Sequence, residues 1–174
     1  MLRQMDFDWD EFFRIPTIMV GVDQDVLYNG TVQNTIELTV ELDVGPHEFW
    51  IQHHSKQAHE TNQHHDTHVF LKRLLFDQID LDQIDYCRLT HKGRYYPKYN
   101  PNYVRTCAEQ QVKLPEYLQP NHYFGHNGTW RLAFNAPVMS WIIEEQNPSG
   151  MNLEDTMFSS SQATLQQVKD LFNL

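Results

Sequence analysis

The hydrophobic pattern is read most clearly at Thr35–Asp43, TIELTVELD, where Ile36, Leu38, Val40 and Leu42 alternate with Thr35, Glu37, Thr39, Glu41 and Asp43. Side chains along a strand point to opposite faces in turn, so this period predicts a β-strand with one buried and one wet face. Upstream, Ile18, Val20 and Val22 alternate in the same way. In DVLYNGTVQ, Asn29-Gly30 has the residue types a two-residue hairpin turn demands, and a turn is predicted there. Gly45-Pro46 breaks the chain, after which HEFWIQHH places Phe49 and Ile51 on one face and Trp50 on the other. HVFLKRLLF is apolar on both faces, as suits a central strand.

The pattern then loosens. DQID occurs at 77–80 and again at 82–85, too short a repeat to set an architecture. Residues 91–120 are rich in Tyr, Pro and Asn and show no clear period. A segment of that kind within a domain reads as functional or as an interaction arm. GHNGTWRLAF predicts a second hairpin turning at Asn127-Gly128, with Trp130, Leu132 and Phe134 inward, and Val138–Ile143 reads as a last strand. Near the C-terminus the period changes: Leu165, Val168, Leu171 and Phe172 recur at helical spacing, with Ser159–Ser161 as N-cap candidates. About eight strands, closely spaced turns and no βαβ rhythm predict a mainly β fold, an antiparallel two-sheet sandwich of jelly-roll type with a short C-terminal helix. A small closed barrel is the alternative. The organisation predicted is an N-terminal arm at 1–16, a sandwich at 17–146 and a tail at 147–174. Phe7, Trp9, Phe12 and Phe13 among acidic residues read as a docked helix or an arm laid on a neighbour. On that reading, deleting residues 1–15 leaves a folded monomer.

Composition narrows the partners. A formal net charge of −10, with 13 scattered Lys and Arg, speaks against a nucleic-acid track. No apolar run approaches the roughly 20 residues of a membrane span. The start, MLRQMDFDWDEFF, has neither the basic beginning nor the apolar middle of a secretory signal. A reducing compartment with Cys87 and Cys107 as free thiols is expected.

Six of the ten histidines fall between His53 and His68. As a group they read as a solvated loop that gains charge near pH ~6. His64 and Asp66 form an H-x-D pair which, with distal His126, has the ligand types of a non-haem Fe(II) site, and Arg131 is a candidate partner for a 2-oxoacid carboxylate. The alternative is calcium, a hard cation that takes oxygen ligands: Asp66 at one end of HVFLKRLLF, and Asp77, Asp80 and Asp82 at the other. Equally, Asp66 caps a turn and the DQID aspartates occupy turn and edge positions. Trp50, Tyr95, Tyr96, Tyr99, Tyr103 and Tyr123 are candidates for stacking on sugar rings or for a protein interface. No G-x-S-x-G elbow or glycine-rich phosphate loop is present. The N-G-T sequences at Asn29 and Asn127 are read as turns rather than glycosylation sites.

Taken together, DVLYNGTV, TIELTVELDVGPHEFWIQHHSK, HVFLKRLLFDQIDL, RYYP and GHNGTWRLAFNAPVMSWIIE resemble small β-sandwich proteins of tailed phages, cyanophages especially. They are similar also to carbohydrate-binding-module-like jelly rolls. The resemblance covers residues 17–145. It implies a non-enzymatic virion component (capsid decoration, neck or tail), assembled in the host cytoplasm among other virion proteins. It requires no cofactor. Glycan binding, with Ca²⁺ as a possible ligand, comes with it as an expectation. The contact candidates on this reading are Phe7, Trp9, Phe12, Trp50, Tyr95, Tyr96, Tyr99, Tyr103, Leu165, Val168, Leu171 and Phe172. The metal candidates are Asp66, His64, Asp77 and Asp80.

Overall fold

The computed structural model describes residues 2–9, 14–57, 59–60, 66–83 and 88–146. They form an antiparallel β-sandwich. One sheet runs in the order β4 (Thr35–Thr39), β1 (Leu2–Trp9), β6 (Val69–Phe76), and the far side of β6 carries the short β7 (Ile79–Asp80) and β9 (Tyr123–Phe124). The other runs β3 (Asp25–Thr31), β2 (Thr17–Val22), β5 (Gly45–His53), β10 (Asn127–Ala136), β8 (Arg94–Lys98). The two sheets are separate rather than closed into a barrel, and most connections pass from one to the other.

The core lies between them. Phe49 and Ile51 of β5 and Trp130, Leu132 and Phe134 of β10 face Met5 and Phe7 of β1 and Leu71, Leu74 and Phe76 of β6, all buried. Burying each such side chain contributes about 1.5–3 kcal/mol. Phe49 meets Phe76 edge-on across the sheets at 5.6 Å between ring centroids, and Tyr95 of β8 stacks on Phe124 of β9 at 5.0 Å. Arg3 is fully buried here. Its guanidinium sits 5.2–5.7 Å from the rings of Phe76, Phe134 and Phe49, a cation–π setting. Desolvation lowers its pKa to about 10.

Several expectations are corrected by this architecture. Leu2–Trp9 is a central strand paired with both β4 and β6, not an arm, and Phe7 is a core residue, 2% exposed. The cause is a period of two in the sequence itself: Arg3, Met5 and Phe7 point inward while Gln4, Asp6 and Asp8 stay wetter. Asn29-Gly30 lies within β3, opposite Met19 and Ile18, and the hairpin instead turns at Asp23-Gln24. Asp23 takes the left-handed φ of 52°, a conformation that short polar side chains tolerate. Its carboxylate accepts from Glu48 N at 2.8 Å and pairs with His47 at 2.7 Å, which anchors the turn to β5. A similar turn at Asp77-Gln78, with φ of 50° and 67°, joins β6 to β7.

Asn127-Gly128 is likewise strand, opposite Lys98 and Pro97 of β8. A Cβ at Gly128 would stand 2.9 Å from Pro97 Cα, so glycine serves close strand approach here, not a turn. Residues 91–120 contain β8 and a helix, α1 (Pro101–Glu109). Asn100 caps α1 by accepting from Asn102 N at 2.8 Å, and Pro101 opens it. The predicted last strand at 138–143 is a helix, α2 (Val138–Gln146), consistent with the helical spacing of Val138, Trp141 and Ile142. The chain divides within α2 into Met1–Trp141 and a unit starting at Ile142, whose described residues continue the helix to Gln146. Phe12, His64 and Cys87 lie outside the described residues, as does the segment with Leu165, Val168, Leu171 and Phe172, for which a helix is expected from the sequence.

Candidate functional site

At one end of the sandwich, three segments converge: the chain leaving β5, the start of β6, and the β9–β10 link. Ser55 Oγ accepts from Thr17 N at 2.8 Å, and Arg14 pairs with Glu60 at 2.6 Å, which fixes the post-β5 chain against β2. Asn127 then clamps it to β10, donating through Nδ2 to Lys56 O at 2.8 Å and accepting from Lys56 N at 2.9 Å. The Lys56 ammonium reaches the Asp66 carboxylate and the Gly125 carbonyl. The other Asp66 oxygen accepts from the Tyr123 hydroxyl at 3.0 Å, and Tyr123 packs on His68 at 4.9 Å.

The far wall comes from the Tyr/Pro-rich segment. Tyr99 and the α1 residue Tyr103 pack on each other at 5.9 Å and on His126 at 5.1 and 5.3 Å. Between the two walls is an open cleft of about 710 Å³, with Asn100, Asn102 and Asn121 at its margins. That falls within the roughly 300–1,000 Å³ typical of ligand sites. Tyr95 lies at its base, 1% exposed, and its hydroxyl donates to the His126 carbonyl. Buried His53 shares that acceptor: its Nδ1 contacts Phe124 O at 3.2 Å and His126 O at 3.1 Å. Since carbonyls only accept, Nδ1 carries the proton.

Electrostatics keep the aromatic groups neutral. Burial lowers the pKa of His126, the Lys56 charge adds to this, and Asp66 opposes it. Burial pushes the Tyr95 and Tyr99 hydroxyls up, and a hydrogen bond with Cys107 does the same for Tyr103. At neutral pH the tyrosines are therefore donors and the cleft wall is uncharged. Burial depresses His53 to about 4.

The structure thus gathers Asp66, His126, Tyr95, Tyr99, Tyr103 and Tyr123 from the sequence candidates, and adds Lys56 and Asn127. It separates others. Asp77 and Asp80 follow the far end of β6, and Asp66 precedes its near end, so the strand holds them roughly 25 Å apart. These carboxylates therefore lie at opposite ends of the strand and do not share one site. Asp80 is instead ion-paired with Arg73 at 2.8 Å. No group of three or more His, Cys, Asp or Glu placed to hold a metal occurs among the described residues. Arg131 points outward from β10 and pairs with Glu48 at 2.7 Å, away from Asp66 and His126. Tyr96 and Trp50 also lie on that outer face, where the Trp50 indole donates to Asp23 O at 3.0 Å. Trp9 is half-buried on β1. Lys56 carried no motif and Asn127 was read only as a turn residue; the crossing of the chain places both.

Comparison with known proteins finds no family model, no curated protein and no solved structure that matches this chain.

Proposed function

We propose that the chain is a non-catalytic saccharide-binding β-sandwich module whose binding does not depend on calcium. The observation that carries this reading is the cleft itself: a neutral ring wall of Tyr99, Tyr103 and His126 facing Lys56, Asp66 and Tyr123. Sugar rings present apolar C–H faces to aromatic side chains, and their hydroxyls both donate and accept. A wall of tyrosines edged by asparagine amides satisfies both needs. Asp66 is the only carboxylate lining the cleft among the described residues. Glycoside hydrolysis by the usual route takes two facing carboxylates, so this arrangement favours binding over cleavage.

Calcium independence follows from Lys56. Its ammonium stands against Asp66 Oδ1 and the Gly125 carbonyl, the oxygen types that a hard cation would take, and it ties the same two segments together. The virion role implied by the resemblance rests on that resemblance alone; a glycan-adhesive component of a particle is compatible with it. A glycan array probed with the full chain, with and without EDTA, tests the reading. Binding that is equal in both conditions and lost in Tyr103→Ala supports it. Binding abolished by EDTA overturns the calcium-independent part, and no binding in either condition overturns the whole.

A further inference from the structure

The outer face of the β5–β10–β8 sheet carries a second concavity of about 540 Å³, with Glu48, Tyr96, Lys98 and Arg131 in its lining. Strand alternation builds it. Arg94, Tyr96 and Lys98 share the outward face of β8, and Thr129 and Arg131 share that of β10. Arg94 and Arg131 are direct register partners across the ladder. Like charges placed opposite each other repel, so this pairing opposes sheet stability.

Each arginine is set on its own tyrosine. The Arg131 guanidinium lies 5.9 Å from the Tyr96 ring and that of Arg94 4.9 Å from the Tyr117 ring, while the two rings stand 5.8 Å apart. A guanidinium stacked in this way keeps N–H edges available in a fixed fork, the geometry that accepts an oxyanion. Glu48 engages Arg131, whereas Arg94 has no ion-pair partner among the described residues. Within the groove's lining Glu48 stands as the one carboxylate among the described residues against Arg131 and Lys98, and Arg94 sits beside it as the register partner of Arg131, in a chain whose formal net charge is −10. Lys98 also lines the Tyr103 cleft, so the two concavities adjoin at this residue.

We propose that this outer groove is an extension subsite for an acidic saccharide, taking a carboxylate or sulfate ester on a chain whose neighbouring sugars occupy the Tyr99–Tyr103 cleft. The inference rests on the saccharide reading of that cleft and adds two properties: the ligand is a polymer, and it is anionic. The arginine pair holds the oxyanion, which relieves the repulsion between Arg94 and Arg131. Lys98 accompanies the chain from one concavity to the other.

The test is calorimetric titration of the full chain with galacturonate dimer and hexamer, a heparin-derived sulfated hexasaccharide, and a neutral gluco-hexamer. An acidic hexamer is expected to bind roughly tenfold tighter than the neutral hexamer and than the acidic dimer. The Arg94→Gln/Arg131→Gln double variant should erase that advantage and leave neutral-hexamer affinity unchanged. Whichever acidic hexamer binds more tightly identifies carboxylate or sulfate as the recognised group. Equal affinity for neutral and acidic hexamers, or an advantage that survives in the double variant, overturns the inference while leaving the cleft reading in place. No binding of any hexamer overturns both.

Discussion

The buried imidazole of His53 makes the stability of this fold sensitive to mild acid, and the size of the effect follows from its setting. His53 is 0% exposed, and desolvation holds its pKa at about 4, against an ordinary 6.5. Its hydrogen bonds to Phe124 O and His126 O favour the charged form but do not offset the burial. A base whose folded pKa is lowered binds its proton more readily in the unfolded chain. Its contribution is therefore fully present above the unfolded pKa and is lost as pH falls toward the folded one. Between pH ~7 and pH ~5, linkage gives a loss of about 2 kcal/mol from this one group. His53→Asn keeps a donor near the position of Nδ1 and removes the titration. Urea unfolding of both proteins at the two pH values measures the difference in slope. His47 works in the opposite sense, because its hydrogen bond with Asp23 raises its pKa. It is present in both proteins, as are His122 and His126, so their contributions cancel in the comparison. The asparagine variant is expected to lose about 2 kcal/mol less on acidification than the parent. Equal slopes for the two would refute the assignment of a neutral, desolvated His53.

Tyr95→Phe removes a buried donor to the His126 carbonyl, which His53 still satisfies, so it should cost about 1 kcal/mol in urea unfolding. Lys56→Met leaves Asp66 with the Tyr123 hydroxyl but without the ammonium. A loss of about 1–2 kcal/mol is expected in the same assay, together with weakened saccharide binding. Phe7→Ala should cost about 3–5 kcal/mol, read by thermal unfolding, because Phe7 is core. Deleting residues 1–15 removes a strand paired on both sides, so circular dichroism should show a chain without its sheet signal rather than a folded monomer.

The strands that are legible in the sequence are those whose alternation is clean and whose burial is one-sided: β2, β4 and the Phe49–Ile51 segment of β5. In β4 the pattern outruns the structure, since the strand ends at Thr39 although the alternation continues to Asp43. Glycine and asparagine misled for a physical reason. Asn-Gly favours a tight turn, yet Gly30 and Gly128 sit in paired strands, and Gly128 is there because β8 passes too close for a side chain. The alternation of Arg3, Met5 and Phe7 with Gln4, Asp6 and Asp8 was open to reading, but acidic residues between aromatics resemble a solvated arm. The α1 start was also on view in Asn100-Pro101. The cleft was partly visible: Asp66 and the tyrosines stand out by type. Asp66 was also set beside His126 by residue type, and apart from Asp77 and Asp80 by the length of the strand between them; the conjunction with Lys56 and Asn127 depends on long-range crossings that a local period does not encode.

The central claim, a saccharide seated between the tyrosine wall and the Lys56–Asp66 pair, is tested most directly by NMR titration of ¹⁵N-labelled protein with the best-binding oligosaccharide. The account predicts shift changes concentrated on Lys56, Asp66, Tyr103, Tyr123, His126 and Asn127, with and without EDTA. Changes centred on the opposite sheet, around β1 and β4, or no changes at saturating sugar, would contradict it.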